Sequence, residues 1–185
     1  MDDAELLGGL REAAYLEGDF VLRSGKRSSY YLDKYRFTTV PHLLEALGER
    51  IAARARELEP DAARLAAPEL GAVALAAAAS LASRVPFLIV RAKPKEYGTA
   101  NRIEGAFEAG DCAVLVEDVV TTGGAACDAV RAVRDAGLRC RAAVCVIDRQ
   151  EGGADALARL GVRLHPLFSA AEVAEAGKSA AKSHR

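Results

Sequence analysis

The sequence predicts an α/β fold, with a central and mainly parallel sheet flanked by helices. Two observations carry that expectation. First, the apolar runs at 86–91, 112–116 and 141–147 do not alternate with polar residues, and helical periods lie between most of the strand-like runs. Strands buried on both faces have this pattern. Second, the run Ala113-Val-Leu-Val-Glu-Asp-Val-Val-Thr-Thr-Gly-Gly-Ala125 passes from an apolar strand through two carboxylates into a glycine turn. A helical pattern follows at about 126–136. Ligands of open α/β sheets bind at such carboxyl ends of strands.

Taken in order, residues 4–15 have helical spacing, with Leu6, Leu7, Leu10 and Ala14 on one face. The stretch 20–33 predicts two short strands around a polar turn at 24–29. Proline near its start and inward Leu43, Leu44, Leu47, Ile51 and Ala55 predict an amphipathic helix over 41–58. A short strand at 64–67 leads to a helix at 71–83, whose small residues suit close packing on a sheet. The next strand is 86–91. The segment 92–105 is polar and contains glycine, with neither helical nor strand period, as lids over active sites often do. Strands at 112–116 and 141–147, the helix between them, a helix at about 154–160 and a strand near 162–167 complete the sheet. From Ala170 an alanine-rich tail reads as a short helix and a frayed end.

The chain has 185 residues, enough for one domain with a sizeable core. Its 25 basic residues nearly balance 26 acidic ones, so no global field draws it to nucleic acid or membrane. Any bound anion must be held by local geometry. Cys112, Cys127, Cys140 and Cys145 form no CxxC pair and fall in apolar or helical stretches, which favours reduced, buried thiols. The acidic start lacks the features of a signal peptide, and the most apolar stretch is too short and alanine-rich to span a bilayer. A cytoplasmic protein is expected.

The glycine turn at 121–124 lets backbone N–H groups converge on an anion, with a helix N-terminus behind them. Glu117 and Asp118 at the strand end can accept hydrogen bonds from sugar hydroxyls. An ordinary strand-to-helix turn explains Gly123 and Gly124 but leaves two carboxylates beside two hydroxyls unexplained. His42, His165 and His184 are isolated in sequence and are expected to be structural or surface residues. Gly177-Lys178-Ser179 lacks the glycine of a P-loop five positions earlier, where Glu172 stands, and there is no GxGxxG.

The segment Glu117-Asp118-Val119-Val120-Thr121-Thr122-Gly123-Gly124-Ala125 resembles the signature of the type I phosphoribosyltransferases. Further likeness, in the right order over about residues 15–153, points to the branch of that family that uses orotate. Phe20-Val-Leu-Arg-Ser-Gly-Lys-Arg-Ser-Ser-Tyr-Tyr-Leu-Asp33 resembles its N-terminal substrate segment, and Pro68-Glu-Leu-Gly71 its pyrophosphate turn. Segments 91–98 and 102–105 resemble the ends of its catalytic loop, and Asp148-Arg149-Gln-Glu-Gly-Gly153 its late base-binding turn.

The resemblance implies Mg²⁺-dependent transfer of the phosphoribosyl group of phosphoribosyl pyrophosphate (PRPP) to orotate. It implies one domain over 1–185: an N-terminal hood and base-binding segment at 1–40, a core sheet at 60–168 and a tail at 170–185. Implied PRPP ligands are Arg91, Lys95 and Tyr97 together with Glu117, Asp118, Val119, Val120, Thr121, Thr122, Gly123, Gly124 and Ala125. Lys95, Glu117 and Asp118 are the implied catalytic set, with Lys95 the main catalytic cation. Glu69, Leu70 and Gly71 form the implied pyrophosphate turn, and Arg23, Thr121 and Arg149 the implied orotate contacts. The metal is expected on substrate oxygens and water, with no dedicated protein cluster. A homodimer with shared sites is implied too.

Three positions depart from the common family pattern: Ala92 and Arg23 stand where lysine is usual, and Tyr97 where histidine is. By spacing alone, Arg91, Lys93, Lys95 and Arg102 are equally leaving-group cations or ordinary surface charges. The alternative for Arg149 is a salt bridge to its neighbour Asp148, and the orotate role is the favoured reading. Transfer to another base, a non-catalytic PRPP-sensing regulator and a non-catalytic partner subunit are the alternative functions.

Overall fold

A computed structural model describes residues 1–21, 25, 27–93 and 101–180, the last four by backbone alone. Helix α1 (Asp3–Ala14) opens with a reciprocal capping box, in which Asp2 accepts from the Glu5 N–H and Glu5 from the Asp2 N–H. Strands β1 (Tyr15–Val21) and β2 (Arg27–Leu32) form an antiparallel hairpin. The first strand starts earlier than the pattern at 20–33 predicts. Tyr15 pairs with Leu32 across the ladder and stacks on Tyr30, and this anchors the early start. A short helix α2 (Lys34–Thr38), capped by Asp33, was not expected from spacing. Helix α3 (Pro41–Leu58) has proline in its first turn and buries Leu43, Leu47, Ile51 and Ala55, as its period predicts.

The remaining elements are β3 (Arg64–Pro68), α4 (Gly71–Ser83), β4 (Phe87–Val90), β5 (Ile103–Glu104), β6 (Cys112–Val120), α5 (Gly124–Asp135), β7 (Arg139–Asp148), α6 (Gly153–Ala158), β8 (Arg163–Ser169) and α7 (Ala170–Ala180). They build a six-stranded sheet in the order β5-β4-β3-β6-β7-β8. Every neighbouring pair is parallel except β4 with β5. The edge strand β5 corrects the expectation that 92–105 holds no strand. Ile103 is a buried β-branched residue that packs with Leu88 and Val90, and its burial pins two residues to the sheet.

The core lies on both faces of the sheet, which explains the unbroken apolar runs. In β6, Val114 and Val116 join Leu6, Leu47 and Leu75 on one side. Ala113 and Leu115 join Val130, Val133 and Leu157 on the other. Successive side chains of a strand point to opposite faces, so strands covered on both sides must be apolar throughout. All four cysteines are buried and free, as expected.

From β3 the chain steps outward to β4 on one side and then returns to β6 on the other. The crevice beyond the carboxyl ends of β3 and β6 is therefore a topological switch point, where open α/β sheets place ligands.

Candidate active site

Three strand ends meet at this crevice. Strand β6 delivers Glu117 and Asp118, which remain 6% and 1% exposed. Two adjacent buried carboxylates are costly, and the consequence falls on Glu117. Its pKa is pushed up to about 8, first by burial and then by the charge of Asp118, with Lys34 opposing. Asp118 is held on two sides. Its Oδ1 accepts from the Val119 N–H at 2.6 Å, and Lys34 Nζ lies 2.9 Å from Oδ2 and 3.3 Å from Oδ1. Burial disfavours the charge on Lys34, but the Asp118 carboxylate outweighs that and raises its pKa.

Strand β3 delivers the turn Glu69-Leu70-Gly71, which contains a cis peptide between Glu69 and Leu70. A methyl group built on Gly71 falls 1.7 Å from Asp118 Oδ2 and 3.2 Å from Lys34 Nζ. Only glycine lets the first turn of α4 approach the carboxylate so closely. The implied pyrophosphate turn and the implied ribose carboxylate are thus direct neighbours. The turn also fastens the segment that follows β4, since Glu69 Oε1 accepts from the Ala92 N–H at 2.8 Å.

The loop after β6 curls over the start of α5. Thr121 is half-buried, whereas Thr122, Gly124 and Ala125 are exposed, and Val119 and Val120 remain against the sheet. Gly123 caps α5 with φ of +80°, a conformation that L side chains rarely adopt. It lies against Gly153 of α6, where an added Cβ would meet Gly153 backbone atoms at 3.0 Å. The Arg149 N–H donates to the Val120 carbonyl at 2.9 Å, so the turns after β6 and β7 are joined.

Arg149 points back toward the N-terminal hairpin. Its Nε donates to Glu151 at 2.9 Å, and its guanidinium lies 5.1 Å from the Tyr30 ring centre. Asp148 accepts instead from the Gln150 N–H, so the salt bridge to Asp148 considered from sequence is replaced by one to Glu151. Tyr30 stacks on Tyr15 at 5.1 Å and 11°, and Arg11 covers the far face of Tyr15 at 4.6 Å.

The expected loop cations divide. Arg91 lies beside Glu104 at 3.9 Å, and its N–H donates to the Arg102 carbonyl. Arg102 grips Asp128 of α5 with both terminal nitrogens, and its Nε donates to the Arg91 carbonyl at 3.0 Å. In this structure Arg102 fastens the end of β4 to α5, the structural one of its two sequence readings. Lys93 is exposed. Arg23, Lys95 and Tyr97 lie outside the described residues. Sequence reasoning missed Lys34, because its contact with Asp118 spans 84 positions and no local pattern announces it.

Among the described residues, no group of three or more His, Cys, Asp or Glu side chains could hold a metal. No helix among them is long and apolar enough to cross a membrane. A cavity of about 570 Å³, lined by Glu59, Arg141 and Arg163 among others, opens near the amino ends of β7 and β8. The carboxylates and the glycine turn lie at the other end of the sheet.

No family model matches the chain. Whole-sequence relatives do. The chain is 42% identical over 172 residues to an orotate phosphoribosyltransferase of Methanocella arvoryzae, covering 92% of this chain and 97% of that one. It is 45% identical over 173 residues to the orotate phosphoribosyltransferase of Halobacterium salinarum, covering 93% and 97%. Among solved structures, that of Mycobacterium tuberculosis orotate phosphoribosyltransferase in complex with PRPP superimposes with a TM-score of 0.75 at 30% identity, covering 92% and 98%.

Proposed function

The chain belongs to the orotate phosphoribosyltransferase family, and from that premise we propose how its residues carry the family's reaction. The enzyme transfers the 5-phosphoribosyl group of PRPP to orotate in pyrimidine biosynthesis. A bond forms between the ribose C1 and a ring nitrogen of orotate. The bond from C1 to pyrophosphate oxygen breaks, the ring nitrogen gives up its proton, and orotidine 5′-monophosphate and pyrophosphate leave.

The observation that carries the assignment of roles is the packing of Asp118 against Gly71. It sets the sugar-facing carboxylates beside the pyrophosphate turn, at the switch point of the sheet. In this reading the backbone of Thr121 to Ala125 holds the 5′-phosphate at the start of α5. Glu117 and Asp118 accept hydrogen bonds from the ribose hydroxyls and stabilise the positive charge that develops on the sugar. Lys95 is the principal cation for the leaving pyrophosphate, with Arg91 and Tyr97 beside it. Arg149 forks onto the orotate carboxylate, and Arg23 and Thr121 complete the acceptor site.

The oxygen donors Glu117 and Asp118, with the pyrophosphate itself, suit a hard cation. Mg²⁺ would be held mainly by substrate oxygens and water, and when bound it neutralises charge on the leaving group. A homodimer is part of the proposal, carried over from the family resemblance. A sedimentation mass of one chain would remove it. A cytoplasmic setting is proposed from the four reduced, buried thiols.

The test is a panel of bases offered with PRPP and Mg²⁺ while pyrophosphate release is followed. Turnover is expected with orotate. Turnover with uracil or hypoxanthine and not with orotate would overturn the acceptor assignment.

A further inference from the structure

We propose that Lys34 is a pyrophosphate-binding residue: its ammonium, between Asp118 and Gly71, meets the leaving group of the donor. This inference rests on the reading of Glu69-Leu70-Gly71 as the pyrophosphate turn. That turn has no cation of its own, since its three side chains are a carboxylate, an exposed leucine and none. Helix α4 begins there without a side-chain cap and without an acidic residue in its first turn. The helix end supplies only partial positive charge from backbone N–H groups. A pyrophosphate needs more than that.

Lys34 is placed to supply it. The residue lies at the start of α2, just after the hairpin, and reaches across to the sheet. Its Nζ lies 2.9 Å from Asp118 Oδ2 and within 3.2 Å of the point that a Gly71 methyl would occupy. The side chain is 39% exposed, whereas Asp118 is 1% exposed, so the ammonium can accept a second anionic partner from the crevice. Arg102 is held by Asp128, so it is not free to supply this charge. An ammonium is a compact point charge with three rotatable donors, so one can stay on Asp118 while another meets a phosphate oxygen.

A purely structural role predicts something different. If Lys34 serves only to hold Asp118, its loss disturbs the ribose side and leaves pyrophosphate binding intact. Titrations of the full-length chain with pyrophosphate and, separately, with ribose 5-phosphate, each with Mg²⁺, divide the two. Lys34→Met is expected to weaken pyrophosphate binding by about 10-fold or more, the scale of one lost charge-assisted hydrogen bond. Ribose 5-phosphate affinity should change far less, and Lys34→Arg should restore most of the pyrophosphate affinity. Unchanged pyrophosphate affinity in Lys34→Met, or equal loss for both ligands, overturns the proposal. If Lys34→Met does not fold, Lys34→Gln in the same titrations decides. Failure of the unaltered chain to bind pyrophosphate overturns the parent reading as well, whereas unaltered binding in the variants removes Lys34 alone.

Discussion

Glu117 shows how one buried residue couples chemistry to stability. Buried beside Asp118, it keeps its proton up to about pH 8, whereas the unfolded chain releases it in the ordinary carboxylate range. Between those limits the native state holds more protons than the unfolded state. The contribution of Glu117 to stability without substrates should therefore be fully present below the ordinary carboxyl pKa and be lost as pH rises through about 8. Glu117→Gln removes the titration and should flatten that decline. Urea midpoints on either side of the window check it, and an equal decline in both proteins would place its origin elsewhere.

The joint between the turn after β6 and the start of α6 belongs to the scale of elements. Gly123 and Gly153 touch backbone to backbone, and Gly123 has a positive φ. Gly123→Ala should cost about 1–2 kcal/mol from the left-handed conformation alone, with further strain against Gly153. It should also raise the KM for PRPP, because the displaced loop is the one proposed to cradle the 5′-phosphate. A variant with ordinary stability and ordinary KM would show that the loop tolerates a side chain. Pattern made α5 and its glycine turn evident from sequence. The fastening by Arg102 was not, because a lone arginine in a polar segment has the same local signature whether it binds substrate or Asp128.

At the scale of the molecule, a column of four planar groups joins the N-terminal hairpin to the sheet. It runs from Arg11 through Tyr15 and Tyr30 to Arg149, and Arg11 also donates to the Ala174 carbonyl of α7 at 2.6 Å. The orientation of Arg149 thus depends on elements from both ends of the chain. A cation–π contact of this kind contributes about 0.5–2 kcal/mol. Tyr30→Leu should raise the KM for orotate several-fold and leave that for PRPP nearly unchanged. Tyr30→Phe keeps the ring and should behave like the unaltered enzyme. Equal increases for both substrates would mean that the hairpin as a whole had shifted.

Much of this was legible in the chain. Apolar runs without alternation implied strands covered on both faces, and the sheet has that form. The acidic pair, the threonines and the glycines are contiguous, so their placement at a strand end followed from local geometry. The edge strand β5 and the short helix α2 escaped notice, because elements of two and five residues carry too little periodicity. Arg149 could be named as a candidate, but its partner, Glu151 rather than Asp148, depended on how the turn after β7 closes. The sequence by itself determined the layers of the fold and the loop after β6, since both are written within a few neighbouring residues. Only the tertiary structure brought Lys34 to Asp118, Asp118 to Gly71, and Tyr30 to Arg149. Those contacts join strand ends and loops far apart in the chain, and proximity of that kind exists only once the sheet has formed.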